Sequence, residues 1–219
     1  MRGPRYNPQP VRNDFADRQL FSHLHEVWCP ENVFIFGAGP SVKPWLNWVQ
    51  PQWNRALVAL NSMIMVDIPW SHWVFFDTNS MNYSWAHSEP PENCCVLMGQ
   101  KIATEKATFV YDASPRLTFN APLQRGAILN NATVAGGACQ IFHWAKPKDQ
   151  ELTIWLFGCD FRGGRHHDGT SAGRQGGVWW QTRYMNYLIH ELRRRGTNIV
   201  SATPTALDVP VMDIKTVLR

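Results

Sequence analysis

No run of the 219-residue sequence approaches the roughly 18 uncharged apolar residues of a membrane-crossing helix, so no membrane span is expected. Cysteine is sparse. The five present, at positions 29, 94, 95, 139 and 159, form no CxxC pair and no His/Cys cluster at metal-ligand spacing, which argues against a zinc site or a disulfide framework. Charge is also scarce, at 17% of residues against 44% hydrophobic and 12% aromatic, the reverse of what keeps a chain disordered. Met1 to Gln19 carries Arg2, Arg5, Arg12 and Arg18 without an apolar core, so it is not a secretory signal and the chain reads as cytoplasmic.

What is present is a long enough chain to bury a core, with eleven tryptophans and a formal charge of +4. The basic excess is local: Phe161 to Arg195 holds seven arginines against Asp168 and Glu191. Residues 1–30, rich in Pro, Arg and Asn, read as an N-terminal arm with a short helix, and residues 31–219 as a single α/β domain. Short β-branched or aromatic runs at 33–37, 56–61, 72–77, 95–99, 108–112, 152–158 and 198–202 predict six or seven buried parallel strands. Helices are predicted over Ser41–Val49, Ala135–Trp144 and Val178–Arg195, the last closed by Gly196. The alternation implies an α/β fold, a doubly wound, mostly parallel sheet with helices on both faces.

Such sheets bind ligands beyond the carboxyl ends of their strands. Those ends are polar and glycine-rich here: Gly37-Ala38-Gly39-Pro40-Ser41, Asn61-Ser62, Asp77-Thr78-Asn79 and Gly158-Cys159-Asp160. Gly37, Gly39, Pro40 and Ser41 between strand and helix suit a phosphate loop, where bare backbone approaches an anion; the competing reading is a tight turn. Val42 stands where a dinucleotide fingerprint has its third glycine, and no Walker lysine follows. Gly136 and Gly137 offer a second helix start with bare amides, or else allow the helix to pack closely on the sheet. No metal site is expected unless Asp77, with a substrate diphosphate, holds magnesium. Asp160 suits either a ribose hydroxyl or a structural turn.

After the sixth long strand comes Arg162-Gly163-Gly164-Arg165-His166-His167-Asp168-Gly169, which reads as a lid: arginines to clamp phosphate, glycines to permit closure. His166 or His167 is a candidate general base, with Asp168 holding its tautomer. A solvated loop is the competing reading. The remaining histidines are read as structural or surface residues.

The ordered set VFIFGAGPSVKPW, ALVALN, WVFFD, AGGACQIFHWA, LTIWLFGCDF and TPTAL, spanning Val33 to Leu207, resembles the bacterial sialyltransferase-like glycosyltransferases and the related motility-accessory and pterin pyrophosphokinase-like Rossmann domains. The resemblance implies a Rossmann-like glycosyltransferase in which the Gly37–Ser41 loop, Asn61 and the helix start at Gly136 hold a nucleotide-sugar donor. It also implies a lid histidine as general base, by position His166 or His167. Where those sialyltransferases carry asparagine in the Gly-x-Gly loop this chain has Ala38, and their strand-three asparagine is Asp77 here. A lid tyrosine that contacts the donor phosphate falls at Arg162, so Arg162 and Arg165 could neutralise phosphate without metal.

The expected activity is transfer of a sugar from a nucleotide-sugar co-substrate to an acceptor hydroxyl, with no other cofactor required and magnesium possible. The acceptor is a glycan or a nucleic acid, including a hydroxylated base in DNA of the sort bacteriophages modify. Two alternatives stay open: a magnesium-dependent phosphotransferase or pyrophosphokinase on a small heterocycle, and a non-enzymatic nucleic-acid-binding module built on the basic stretch. The oligomeric state is not readable.

Overall fold

The computed structural model describes residues 31–49, 56–76, 78–99, 102–111, 113–114, 128–129, 133–163, 166, 168 and 175–216. Seven strands form one sheet: β1 (Asn32–Phe36), β2 (Ala56–Leu60), β3 (His72–Phe75), β4 (Cys95–Gly99), β5 (Phe109–Tyr111), β8 (Leu152–Phe157) and β9 (Thr197–Ser201). A separate two-stranded ladder pairs β6 (Ala113–Ser114) with β7 (Ile128–Leu129). The sheet order is β5-β4-β3-β2-β1-β8-β9 and every pairing in it is parallel.

That order follows from chain handedness. Right-handed crossovers carry the chain outward from β1 to β5 with their connections on one face, and then from β8 to β9 with the connection on the other. The direction reverses between β1 and β8, which lie side by side in the sheet. Their register, Phe36 opposite Phe157, ends both at the same height.

Both faces of the strands are buried, which explains why their sequences read as continuous apolar runs. Val33, Ile35, Val58, Leu97, Ile154 and Ile199 face a core shared with helix α2 (Val134–Ala145) and helix α3 (Gln175–Arg194). The alternate residues, Phe34, Phe36, Leu57, Trp73, Phe75, Trp155 and Phe157, face the second core. That second face carries no long helix among the described residues. It is closed by 3-10 turns at Pro40–Val42, Asn61–Met65 and Ser84–His87 and by helix α1 (Lys43–Leu46), a single four-residue turn.

Helix α1 is shorter than the predicted Ser41–Val49. Its start is taken by a 3-10 turn in which the Val42 and Lys43 amides donate to the Gly39 and Pro40 carbonyls, Pro44 has no amide to donate, and Trp48 again donates back to Trp45 at three-residue spacing. Helix α3 begins three residues earlier than predicted, taking in Gly176 and Gly177, and ends as expected at a left-handed Gly196 (φ 81°). Its buried face is Met185, Leu188, Ile189 and Leu192. Helix α2 is buried on nearly all sides, with a Thr133 side-chain cap on the Gly136 amide at 3.1 Å.

Two buried histidines sit at the edge of the sheet opposite the strand exits. His72 opens β3 and stacks edge-on against Phe142; His143 lies near the end of α2, 2.7 Å from the Thr197 hydroxyl. Burial pushes His72 down to about 3, and burial with the nearby Lys146 and Arg195 cations pushes His143 down to about 4. Both stay neutral in the fold while the unfolded chain protonates them near pH 6.5. Their contribution is therefore complete above pH 6.5 and is lost as pH falls toward 4, with a slope near 1.4 kcal/mol per pH unit for each histidine. Urea unfolding at stepped pH should show this decline, and His143→Gln should remove about half of the slope between pH 6.5 and 4; an unaltered slope would mean that His143 is solvated. A Phe142→Ala variant, opening a fully buried site, should lose about 3–5 kcal/mol by the same measurement.

Candidate functional site

The reversal of winding between β1 and β8 marks where such a sheet opens a crevice, and the loops leaving these two strands are the ones singled out by sequence. They meet directly. The Gly37 amide donates to the Phe157 carbonyl and the Gly39 amide to the Gly158 carbonyl, each at 2.8 Å, so the pairing of β1 with β8 continues past the sheet as a backbone zipper. A Cβ on Gly37 would sit 2.8 Å from the Gly158 oxygen, and one on Gly39 would sit 2.7 Å from the Asp160 carboxylate. Gly158 itself has φ 60°, a left-handed backbone that glycine takes without strain, and a Cβ there would meet Val42 at 2.7 Å.

Asp160 closes this zipper. Its carboxylate accepts the Ser41 backbone N–H at 3.1 Å and the Ser41 hydroxyl, so the negative charge at the start of the 3-10 turn belongs to the protein. The loop after β9 locks in from the other side. The Thr203 hydroxyl accepts the Gly158 amide at 3.0 Å, the Thr205 hydroxyl donates to the Cys159 carbonyl at 2.7 Å, and the Ala206 amide donates to the Asp160 carbonyl at 2.9 Å. Three strand exits thus form one hydrogen-bonded rim.

This geometry redistributes the roles expected of the residues. The structure brings Gly37, Gly39, Pro40, Ser41, Asp160 and Arg162 to one rim, but the Gly37, Gly39 and Ser41 amides are hydrogen-bonded within it. Gly136 and Gly137 are likewise engaged, their amides donating to the Thr133 hydroxyl and carbonyl at 3.1 Å each. A Cβ on Gly137 would lie 2.9 Å from the Phe76 ring, the close helix-to-sheet approach weighed above. These amides are therefore engaged within the protein at this rim. Arg162, exposed, rests one guanidinium nitrogen on the Thr205 carbonyl at 3.3 Å.

Asn61, at the exit of β2, has φ 50°, and its side-chain oxygen is buried with no hydrogen-bond partner; its backbone carbonyl accepts the Trp73 indole N–H at 3.0 Å. A left-handed asparagine with an unsatisfied buried acceptor is the kind of strained, polar position that clusters at ligand sites. Phe161, at φ 53°, is a second left-handed residue, where a bulky side chain is disfavoured; its carbonyl lies 3.4 Å from the Thr182 hydroxyl, which donates to the Val178 carbonyl at 2.7 Å, so the rim adjoins α3. His166 is half-buried and Asp168 exposed, while Asp77, Arg165 and His167 lie outside the described residues. Among the described residues no group of three or more His, Cys, Asp or Glu could hold a metal ion, and no helix is long and apolar enough to cross a membrane. Cys159, although at the rim, is buried and its thiol is pushed up to about 12 by burial and the neighbouring Asp160, so it remains protonated and is no nucleophile.

No family model, curated protein or solved structure matches this chain. The site therefore rests on its own geometry. Thr203 and Thr205 belong to it although sequence reasoning quoted their segment only for its resemblance; two threonines directly after a strand exit were the available signal. Thr133 was missed as a cap, although a threonine three residues ahead of Gly136 has the right spacing.

Removing the Asp160 carboxylate should unfasten Ser41 and leave its amide and hydroxyl unsatisfied. Asp160→Ala is expected to lower unfolding free energy by about 1–3 kcal/mol in urea, and an unchanged midpoint would show that the carboxylate does not hold the two loops together.

Proposed function

We propose that the chain is a glycosyltransferase whose nucleotide-sugar donor lies over the carboxyl ends of β1 and β8. The observation that carries this reading is the reversal of winding between those strands, with the polar residues Asn61, Ser41, Asp160, Thr205 and Arg162 gathered on the adjoining loop ends. The order of motifs along the chain, which resembles the sialyltransferase-like enzymes, supports the same reading.

In this account the donor phosphate is met by arginine side chains, Arg162 and Arg165, because the glycine-loop amides bond to the neighbouring loop. The Asp160 carboxylate makes the floor negative, so phosphate stands off it, nearer the guanidinium groups. Asn61 offers its buried oxygen to an N–H or O–H of the nucleoside. An acceptor hydroxyl loses its proton to His166 or His167 as its oxygen attacks the anomeric carbon; the bond from that carbon to the donor phosphate breaks, and the nucleotide leaves with the electron pair. The arginines stabilise the charge that gathers on the departing phosphate. The acceptor hydroxyl belongs to a glycan or a nucleic acid. If magnesium takes part, Asp77 is the carboxylate to hold it.

A thermal-shift screen against CMP, UDP, GDP, ADP and ATP, each with and without magnesium, tests the donor. A ligand at about 100 times its dissociation constant adds about 2.7 kcal/mol to stability, so a pyrimidine or guanine nucleotide should raise the melting temperature. A response to ATP with magnesium alone would favour a phosphotransferase instead, and no response to any nucleotide would overturn the reading. Once a donor is identified, His167→Ala, or His166→Ala where His166 is the base, should keep the thermal shift and lose about two to four orders of magnitude in turnover.

A further inference from the structure

Helix α3 buries Met185, Leu188, Ile189 and Leu192 against the sheet, and at 100° per residue its outward stripe is Trp179, Trp180, Arg183, Tyr187, His190 and Arg194. An ordinary solvated helix face mixes acids with bases in spaced pairs. This stripe contains no acid. Helix α3 together with Arg195 holds four arginines and a single carboxylate, Glu191, which lies beside the stripe and pairs with Arg194 at 3.0 Å.

The two tryptophans are also in an unusual place for their size. Trp179 is 57% exposed and Trp180 49% exposed, with ring centroids 4.6 Å apart at 76°, and the Arg183 guanidinium lies 5.7 Å from the Trp179 ring centroid. Indole faces in water beside guanidinium groups match one class of partner in both respects: π-faces stack on planar bases, and guanidinium groups take phosphates. From Trp179 to Arg194 the stripe runs about 22 Å along the helix, long enough to meet several consecutive phosphates. Its aromatic end lies beside the rim, with the Thr182 hydroxyl 3.4 Å from the Phe161 carbonyl.

We infer that the outward stripe of α3 binds single-stranded nucleic acid, its bases stacking on Trp179 and Trp180 and its phosphates on Arg183 and Arg194. The binding does not depend on the transferase reading; only the further step, that the bound strand carries the acceptor hydroxyl, rests on it. Duplex DNA suits the stripe less, because paired bases offer no faces to the indoles. An acidic glycan would engage the arginines, but its anionic sugars stack poorly on the rings.

Fluorescence anisotropy of the full chain with a labelled 12-nucleotide single-stranded DNA, without any nucleotide present, tests the inference. Binding should weaken about tenfold for Trp179→Ala and again for Trp180→Ala, and should quench tryptophan emission in the parent chain. Arg183→Gln and Arg194→Gln should each reduce the slope of log affinity against log salt by about 0.7, the single-strand value for one lost phosphate contact. Melting temperatures should fall by no more than a few degrees, since all four side chains are exposed. No binding at 50 mM salt, or binding that ignores both tryptophan variants, would overturn it; so would equal, tryptophan-independent binding of duplex DNA or of a heparin fragment. Because nucleotide thermal shifts are read separately, the donor reading and this one can fail independently.

Discussion

The contact on which the rest of the rim depends is the pair of backbone hydrogen bonds joining Gly37 and Gly39 to Phe157 and Gly158. In a doubly wound sheet the chain leaves the two strands at the reversal of winding in opposite directions, and the loops ordinarily splay there and leave a crevice floored by amides. Here the two loops stay together for one step beyond the sheet. They do so because three glycines keep Cβ atoms out of the closest backbone approaches and because Asp160 fastens onto Ser41. Once the amides are spent in this way, anything bound above the strand exits meets side chains, and the charge of the floor is set by a carboxylate. The loop after β9 inherits its course from the same zipper, since Thr203 and Thr205 bond to groups that the zipper positions.

A second constraint is the thinness of the layer over one face. Four crossovers from β1 to β5 must cover that face, yet in the described residues they use 3-10 turns and the four-residue α1. Turns of this size bring few side chains, so the volume has to come from the sheet itself. The residues pointing that way are accordingly large: Phe34, Phe36, Trp73, Phe75, Trp155 and Phe157, with Trp70 from a loop. Phe36 stacks on Phe157 at 4.5 Å and meets Trp70 edge-on at 5.3 Å, and Phe34 meets both Trp155 and Phe157 edge-on. On the opposite face, where α2 and α3 supply bulk, the strands carry mostly Val, Ile, Leu and Ala, with Phe109 and Tyr111 on the edge strand β5 as the aromatic exceptions. Much of the tryptophan content is thus explained by core filling, and the exposed pair on α3 stands apart from it.

Strand positions were legible because buried parallel strands leave unbroken apolar runs, and the long helices because their apolar spacing and the terminal Gly196 are local signals. The doubly wound class followed from alternation alone. What could not be read was partnership at the rim. A Gly-x-Gly after a strand looks the same whether its amides face an anion or a neighbouring carbonyl; the choice depends on Gly158 and Asp160, more than a hundred residues away in sequence. The same holds for Gly136 and Gly137, whose bare backbone serves Phe76 and the Thr133 cap. Asn61 was picked out as a strand-end polar residue, but its left-handed backbone and buried, unsatisfied oxygen are tertiary facts.

The rim and the outer stripe of α3 adjoin. Phe161, left-handed and directly after Asp160, turns the chain away from β8, and its carbonyl lies 3.4 Å from the Thr182 hydroxyl, about two turns into α3. At the far end of the helix, Arg193 donates to the Ile199 carbonyl at 2.6 Å, and the Gly196 turn leads directly into β9. The two ends of the helix therefore meet the exit of β8 and the strand β9. A polymer lying along the stripe would meet the rim at its tryptophan end, where bases can stack, with the arginine end beside the start of β9. Charge would set the direction of approach for such a polymer: the rim floor carries the Asp160 carboxylate and the stripe carries arginines without an acid, so a polyanion held along the helix would bring its neutral, hydroxyl-bearing groups closest to the floor.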